Sequence, residues 1–438
     1  MKKITEIDIV GAGTAGCLAV LYLSSKFPEI AFNWYFPEKN QPIGVGEGSS
    51  DELILLLNKV DIHFQQLVTE CDATIKLGIQ FEGWRHADHK YFHPFSSERG
   101  NFHEMNNMCT MKLKNKIPHD VFDNYRYGIH FDSYKMQEFL IGICKKRKNV
   151  TINHIDIDNI DQLKGNLVID STGFKRHITG KIDSDNFVDY REKNCNNAAR
   201  AIKLKYTDKN NQSLPYTIAK ASEENGWFWY IPLKDEIGFG HVYNKNIKHT
   251  DKEFIKFIES KIGHDHDYDL TNYKNLEFIN GRARENLIDY NGKYFYNIGL
   301  SSGFIEPLEA KGLHISIQSI YFLEDFLLGN LSKHQVNKLF TEEFDSCINF
   351  IHMHYFYTDR ENNYWNFFKN SKPDFQVTNE YEWVESCMTS GVGYDHDLMR
   401  KCLVTFHDQT TVTTLDATKQ LVKAIPYNKW RETYEKYA

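Results

Sequence analysis

Apolar and polar positions follow two periods along this chain, and the switches between them mark its elements. Residues 4–10 form a short apolar run that ends in Gly11-Ala12-Gly13-Thr14-Ala15-Gly16 and passes into residues 17–23, apolar at nearly every position. That order predicts a buried strand, a glycine turn and a buried helix. A second strand is expected over 32–36, and a helix over 53–57 after the glycine-rich stretch 43–50. Residues 74–82 alternate with period two, placing Ile75, Leu77, Ile79 and Phe81 on one face and Lys76, Gly78, Gln80 and Glu82 on the other. By that pattern alone Lys76 is a solvated lysine. Further strands are expected over 167–170, several within 200–245 and another over 294–298. In the run 227–232, Trp227, Trp229 and Ile231 share one face while Phe228 and Tyr230 take the other. From Leu313 to about residue 370 the pattern is helical, and the last seventy residues are mixed and rich in aromatics. No repeat, low-complexity tract or linker interrupts the chain.

Composition narrows the class. At 438 residues with 41% apolar content, the chain can bury a large core in more than one subdomain. A formal net charge of −7 argues against nucleic acid or an anionic membrane as the main partner and leaves small-molecule chemistry. Eight cysteines lie scattered without a Cys-x-x-Cys pair, the usage of a reduced compartment. No run approaches the roughly 20 apolar residues of a membrane span. The expected setting is soluble and cytoplasmic.

Several segments carry candidate chemistry. The glycine fingerprint after the first strand is a dinucleotide-binding turn, with Gly11 making the turn, Gly13 admitting a pyrophosphate, Thr14 and Ala15 opening the helix and Gly16 allowing close helix–strand packing. The acid expected after the second strand to bind a ribose would be Glu38, which follows Pro37. Gly44-Val45-Gly46-Glu47-Gly48 is either an approach to a flat ring system or a flexible turn. Strand ends rich in small residues recur at Asp170-Ser171-Thr172-Gly173 and at 299–312, where Glu306 and Glu309 lie inside a cradle suited to an anionic or oxygen-rich group. Residues 91–95 offer either a surface for a planar ligand or local core, and the tryptophan strand either a cavity wall or sheet core. Asp132 suits a helix N-cap. His264-Asp265-His266-Asp267 stands alone on a polar loop without a third cluster, so no metal site is expected.

In this order the motifs resemble the flavin-dependent halogenases of the tryptophan-halogenase type, over roughly residues 4–370. The matching segments are 11–16, 44–48, Lys76 in its Lys-Leu-Gly strand, His130-Phe131-Asp132, 170–174 and 303–309, and the most diagnostic is Trp227-Phe228-Trp229-Tyr230-Ile231-Pro232. The resemblance implies an α/β fold: a Rossmann-like FAD module of the glutathione-reductase and aromatic-hydroxylase type, an interleaved β-sheet substrate region and a helical C-terminal part. The module would take residues 1–60, 125–180 and 280–330, the substrate and tunnel region 61–124 and 181–279, and the covering region 331–438.

It further implies that reduced FAD, oxygen and a halide (chloride, bromide or iodide) yield hypohalous acid, which travels through a tunnel to Lys76 and halogenates an electron-rich arene beside Glu309. Cofactor contacts would come from Gly11, Gly13, Thr14, Ala15, Gly16, Glu38, Gly46, Glu47, Gly48, Asp170 and Gly303. The halide would sit at the backbone of Lys311 and Gly312. His93, Phe95 and Trp365 would hold the substrate, while Trp227, Trp229, Ile231 and Pro232 separate it from the flavin. The solitary fingerprint implies a separate NAD(P)H-dependent flavin reductase; self-association stays open. The family's usual Ser-Thr after the glutamate is replaced by Ala310-Lys311 and the C-terminal half is short, which favours a phenol, indole or related arene over free tryptophan. Two competing readings are a flavin aromatic hydroxylase, which shares the first glycine motif, and a non-catalytic flavin-binding protein.

Overall fold

The computed structural model describes residues 3–39, 42–45, 47–95, 126–206, 214–263, 268–270, 272–370, 384–385 and 387–389, with short strands at 116–117 and 425–426 besides. Two large sheets organise the described residues. In the first, β1 (Glu6–Val10) lies between β2 (Ala31–Tyr35) and β9 (Leu167–Asp170); β8 (Val150–Asn153) extends it beyond β2, and the hairpin β15 (Leu287–Tyr290) and β16 (Lys293–Asn297) beyond β9. Every pairing except that hairpin is parallel. A parallel sheet needs both faces covered, and the strands supply apolar side chains to both: Ile7, Ile9, Phe32, Trp34, Leu167, Val168 and Ile169 are all fully buried. Helix α1 (Thr14–Lys26) is buried from Gly16 to Ser24, which explains why it is apolar all round rather than along one stripe. Asp8 inside β1 is satisfied by the Asn33 amide and the Gly165 N–H.

Register decides where chemistry can sit. Val10 pairs with both Tyr35 and Asp170, and Asp170 with Asn297, so four strands finish level and the loops that follow them meet at one edge. In open α/β sheets that carboxyl edge is the ligand-binding side.

The second sheet has the order β14 (Lys274–Glu277), β10 (Ala198–Lys205), β13 (Glu236–Tyr243), β12 (Trp227–Pro232), β11 (Thr217–Ala221), β5 (Gly78–Glu82) and β6 (Lys90–Pro94). A small third sheet joins β3 (Glu47–Gly48), β7 (Gly128–Phe131) and β4 (Thr74–Lys76). The alternating run 74–82 is thus two strands in two sheets. Leu77 is the hinge: its N–H donates to Pro215 O at 2.7 Å and its carbonyl accepts from Phe95 N–H at 3.1 Å. With sheets and helices on both sides, the run's polar face is buried as well, and Lys76 is 2% exposed rather than solvated.

The other helices of seven or more residues among the described residues are α2 (Asp51–Asn58), α3 (Phe64–Cys71), α4 (Ser133–Cys144), α5 (Lys252–Ile262), α6 (Lys311–Leu327), α7 (Lys333–Phe356) and α8 (Asn363–Lys369). Asp132 caps α4 as expected, accepting from the N–H groups of Tyr134 and Lys135. Ser50 holds the N-cap position of α2 without a capping hydrogen bond, and Ser49 instead accepts from Ile129 N–H across to β7. One large apolar core runs through both large sheets and the C-terminal helices, and a smaller one gathers Val10, Tyr35, Val168, Ile178 and Phe295 on the first sheet. No helix among the described residues is long and apolar enough to cross a membrane. The segment 264–267 lies outside the described residues.

Candidate active site

At the carboxyl edge of the first sheet, the glycine turn divides its labour by space. Gly11 has φ +107°, and a Cβ there would lie 2.4 Å from Ser171 O; at Gly16 a Cβ would lie 2.5 Å from Gly11 O. Both positions exclude any side chain because β1, α1 and the loop after β9 touch there. At Gly13, the N-cap of α1, an added Cβ meets nothing within 4 Å, so the helix start is open there, while half-buried Ala15 lies against Gly299. A helix N-terminus opening onto a roomy, side-chain-free turn suits the pyrophosphate of a dinucleotide. Glu38 is exposed, three residues beyond the end of β2.

Asp170 is bound into its own loop. Its Oδ1 accepts from Thr172 N–H, Thr172 Oγ1 and Ser301 Oγ, and its Oδ2 from the N–H groups of Ile178 and Thr179 and from Thr179 Oγ1. Six donors occupy both oxygens, so Asp170 ties down the loop that presses on Gly11. Gly303 is likewise a packing position: φ is +151°, and a Cβ would lie 2.5 Å from Gly281 O in the neighbouring strand Gly281–Arg282. In the second glycine loop Gly46 lies outside the described residues. Glu47 accepts from Val45 N–H at 3.3 Å, and burial pushes its carboxyl up. A Cβ on Gly48 would lie 3.0 Å from Lys76 Nζ and 3.1 Å from His130 Cδ2, so this glycine borders the lysine directly.

Lys76 Nζ has no hydrogen-bond or ion-pair partner among the described residues and stands 4.9 Å from the centre of the Phe95 ring. Burial pushes its pKa down to about 7, with the charge of Glu309 pulling the other way. His130 sits beside it, its Nε2 3.0 Å from Thr217 Oγ1; burial first, then the lysine charge, holds this imidazole neutral.

Glu309 is clamped by two imidazoles. His93 Nδ1–H lies 2.9 and 3.0 Å from its two oxygens, and His354 Nε2 lies 3.2 Å from Oε1. Tyr91 OH meets His354 Nδ1 at 2.5 Å, and the Phe81 ring stacks on both at 4.6 and 4.5 Å. Burial alone would raise the carboxyl, but the two histidines outweigh it and hold Glu309 well below the usual carboxylate range. The backbone is strained at this point: Glu309 and Ala310 both adopt left-handed conformations, φ +65° and +55°. Such geometry costs about 1–3 kcal/mol per residue and persists only where the surroundings fix it. Lys311 and Gly312 then open α6 at its positive dipole end, and at Gly312 an added Cβ meets nothing within 4 Å. The Lys311 ammonium lies 4.7 Å from the centre of Phe350, whose ring also borders His93 and His354.

Glu306, three residues earlier, is spent on structure. It accepts from Asn194 Nδ2 at 2.8 Å, Asn196 Nδ2 at 2.7 Å, Trp227 Nε1 at 3.0 Å and Tyr355 OH at 2.6 Å. This removes it as the free acid that its place in the loop suggested. Trp227 is thereby fixed, and Trp229 packs face-on over Gly240, where a Cβ would fall 1.9 Å from its ring. Trp229 Nε1 has no partner among the described residues. Ile231 stays half-buried on the same face, and the carbonyl of buried Pro232 accepts from Thr74 Oγ1 at 3.5 Å, beside Lys76's strand. Trp365 is fully buried among Trp84, Tyr355 and Tyr364, its N–H given to Ser222 O, and so belongs to the aromatic core behind Trp227. The fold therefore gathers Lys76, His93, Phe95, Glu309 and Lys311 around one buried region, with the glycine turns in the neighbouring loops. His354, Tyr91, Asn194, Asn196 and Tyr355 escaped the sequence reading because their roles exist only across long chain separations.

Comparison with known proteins agrees with this architecture. The profile of the family described as tryptophan halogenase matches residues 6–132 and 110–391. The 7-chloro-L-tryptophan 6-halogenase KtzR of Kutzneria sp. (strain 744) is 25% identical over 430 residues, covering 82% of this chain and 80% of that protein. The tryptophan 7-halogenase RebH of Lentzea aerocolonigenes is 25% identical over 417 residues, with coverage of 82% and 77%. Among solved structures, a tryptophan halogenase from Shewanella frigidimarina NCIMB 400 superposes with a TM-score of 0.83 at 21% identity, over 100% of this chain and 98% of that one. A flavin-dependent halogenase from Xanthomonas campestris gives 0.79 at 19% identity, over 99% of both. With the family profile spanning most of its length and the fold of flavin-dependent halogenases throughout, this chain belongs to the tryptophan halogenase family and is an enzyme of the flavin-dependent halogenase type.

Proposed function

We propose that this chain halogenates an electron-rich arene, a phenol, indole or related ring, by way of Lys76, with Glu309 aiming and stabilising the transfer. The observation that carries the reading is a fully buried lysine beside Phe95, its pKa brought down to about 7 by burial, within electrostatic reach of a carboxylate kept charged by two histidines. A buried amine has no structural use for such an environment; perturbed groups of this kind mark chemistry.

The residues at the first sheet's carboxyl edge fit FAD. Gly11, Gly13, Thr14, Ala15 and Gly16 would hold the pyrophosphate, Glu38 would bind the ribose, and Gly46, Glu47 and Gly48 would approach the ring system. The module we assign to 1–60, 125–180 and 280–330 carries these segments, 61–124 and 181–279 the arene side, and 331–438 the cover. When bound and reduced, FAD supplies with dioxygen the oxidation of halide to hypohalous acid. The halide is held by the N-terminal turn of α6 at Lys311 and Gly312. Trp227 and Trp229, fixed by Glu306 and Gly240, keep the arene on the Lys76 side, where His93 and Phe95 flank it.

Neutral Lys76 attacks the halogen of hypohalous acid, forming an N–halogen bond and releasing water, or holds the acid by hydrogen bonding. The arene then takes the halogen, and the ring proton leaves to Glu309, which passes it to the nitrogen, so that amine and carboxylate are both restored. A carboxylate held this far below its usual range is a weak base, but the cationic ring is a strong acid, and a permanent charge stabilises it best. The absence of a second fingerprint points to reduced flavin delivered by a separate NAD(P)H-dependent reductase. Ala310-Lys311, in place of the family's usual Ser-Thr, favours a less selective site than those of the relatives named for tryptophan.

The test combines the protein, FAD, NADH, a generic flavin reductase and catalase with phenols and indoles in chloride, bromide or iodide, followed by mass spectrometry. Halogen mass shifts are expected with the native chain and none with Lys76→Ala, which should still bind FAD. Shifts retained in Lys76→Ala remove the lysine route, and oxygen-atom shifts assign the chain to aromatic hydroxylation instead.

A further inference from the structure

Away from Lys76, helices α2, α6 and α7 bring a second set of reactive side chains together. His314 lies one turn into α6; its Nε2 is 2.6 Å from Glu343 Oε1, and Cys347 Sγ is 3.7 Å from that same oxygen. Glu343 and Cys347 are four residues apart on one face of α7, so they point the same way. One ligand atom from each of the three residues lies within 4.8 Å of the others. His314 and Cys347 are buried and Glu343 half-buried. On the far side of the imidazole, Glu52 Oε2 lies 2.5 Å from Nδ1, and Gln318 Nε2 donates to Glu52 Oε1 at 2.8 Å.

We propose that His314, Glu343 and Cys347 form a binding site for a zinc ion. Imidazole nitrogen, carboxylate oxygen and thiolate sulfur are the donor set of a tetrahedral zinc centre, whose ligand atoms stand about 3–4 Å apart. Glu52 supplies what a metal-binding histidine needs behind it: a carboxylate on Nδ1–H that fixes the tautomer and turns the Nε2 lone pair toward the other two ligands. The 2.6 Å from His314 Nε2 to Glu343 Oε1 is too short for two ligands of one ion, and a modest rotation of the half-buried Glu343 side chain opens it.

Charge is conserved on loading. Without an ion, the imidazolium and Lys311, whose charge reaches Glu52, Glu343 and Cys347, balance the two carboxylates. Zinc replaces the Nε2 proton and the thiol proton, forming Zn–N, Zn–S and Zn–O bonds and releasing two protons; its double charge then meets Glu343 and the thiolate while Lys311 faces Glu52. The buried cluster is neutral either way, so no uncompensated charge opposes binding. A solvent molecule would complete the shell. The ion would pin α6, whose first residues are Lys311 and Gly312, to α7, which carries His354.

The experiment uses the full chain without an oligohistidine tag, freed of metal by chelator and titrated with cobalt(II) as a spectroscopic substitute and with zinc. One ion per chain and a thiolate-to-cobalt charge-transfer band are expected, displaced by zinc. Cys347→Ser should abolish the band, Cys17→Ala should keep it, and Glu52→Gln should weaken affinity about 10- to 100-fold while leaving the ligands in place. No band with the native chain, or a band that survives Cys347→Ser, overturns the site and leaves His314 as an imidazolium bridging two carboxylates. None of these readouts depends on halogenation.

Discussion

Glu306 and Glu309 leave the same loop three residues apart, and both are buried, yet the protein treats them in opposite ways. Glu306 meets four neutral donors, from Asn194, Asn196, Trp227 and Tyr355; burial raises its pKa and the hydrogen bonds only moderate that rise. Glu309 meets two imidazoles that can carry charge, and its pKa falls. The number of hydrogen bonds does not separate a scaffold carboxylate from a working one; the charge state of its partners does. Only Glu309 also acts on Lys76 electrostatically. One glutamate therefore holds Trp227, and the other is held charged where the proposed mechanism would form a cation.

The largest effect should come from neutralising the second. Glu309→Gln is expected to lower the halogenation rate about 100- to 1000-fold, the usual consequence of removing one preorganised group at a developing charge. Folding should survive, because neutral imidazoles can still donate to the amide oxygen. Single-turnover halogenation beside a thermal melt checks both halves, and equal activity would abolish the distinction between the two residues.

Glu306→Ala reverses the pattern. It leaves Asn194, Asn196, Trp227 and Tyr355 donors buried without an acceptor, at about 3 kcal/mol of stability or more. Denaturant unfolding measures it. A loss below about 1 kcal/mol would mean that water satisfies the nest and that Glu306 is not the anchor of the wall.

These two residues also show how far the sequence could be read. The glycine turn is legible because strand, turn and helix are adjacent in the chain and Gly16 is required by Gly11 O close by, although Ser171, which presses on Gly11, comes from the distant loop after β9. Strands at 6–10, 31–35, 167–170 and 293–297 are legible as apolar runs for the same local reason, but their pairing into sheets is not. Lys76 was misplaced by periodicity because period two reports which residues share a face, whereas burial depends on what covers that face, and here the strand changes sheets at Leu77. Glu306 and Glu309 are indistinguishable in sequence. Their partners lie in β6, in β12, around 194–196 and in α7, and nothing in the chain order pairs His354 with Glu309 or Tyr355 with Glu306.

The lysine sharpens the comparison through pH. With its pKa lowered to about 7, Lys76 is neutral above that value, and the reactive fraction falls about tenfold for each unit below it. Halogenation should rise with pH through about 7 and then level. The stability sign runs the same way: between about 7 and the unfolded value near 10.5 the unfolded chain binds the extra proton, so this residue's contribution to stability worsens as pH falls through that window and is constant below it. Since Glu309 raises the lysine pKa, Glu309→Gln should move the acid limb to lower pH, and Glu306→Gln should leave it in place. Identical shifts in both variants would show that burial alone sets the lysine.

The smallest effect tests the clamp from behind. Tyr91 touches Glu309 only through His354, whose Nδ1 it meets at 2.5 Å, so Tyr91→Phe keeps the stacked ring on Phe81 and removes one hydrogen bond. The stability cost should be about 1 kcal/mol. With Nδ1 no longer fixed, His354 can turn or change tautomer, Nε2 no longer faces Glu309 reliably, and the carboxylate loses part of its counter-charge. The halogenation rate should therefore fall a few-fold in the native background and not at all in Glu309→Gln, where no charge remains to hold. A double-mutant cycle reads that coupling directly. Additive losses would place Tyr91 with the Glu306 nest, as packing, rather than in the line that keeps Glu309 charged.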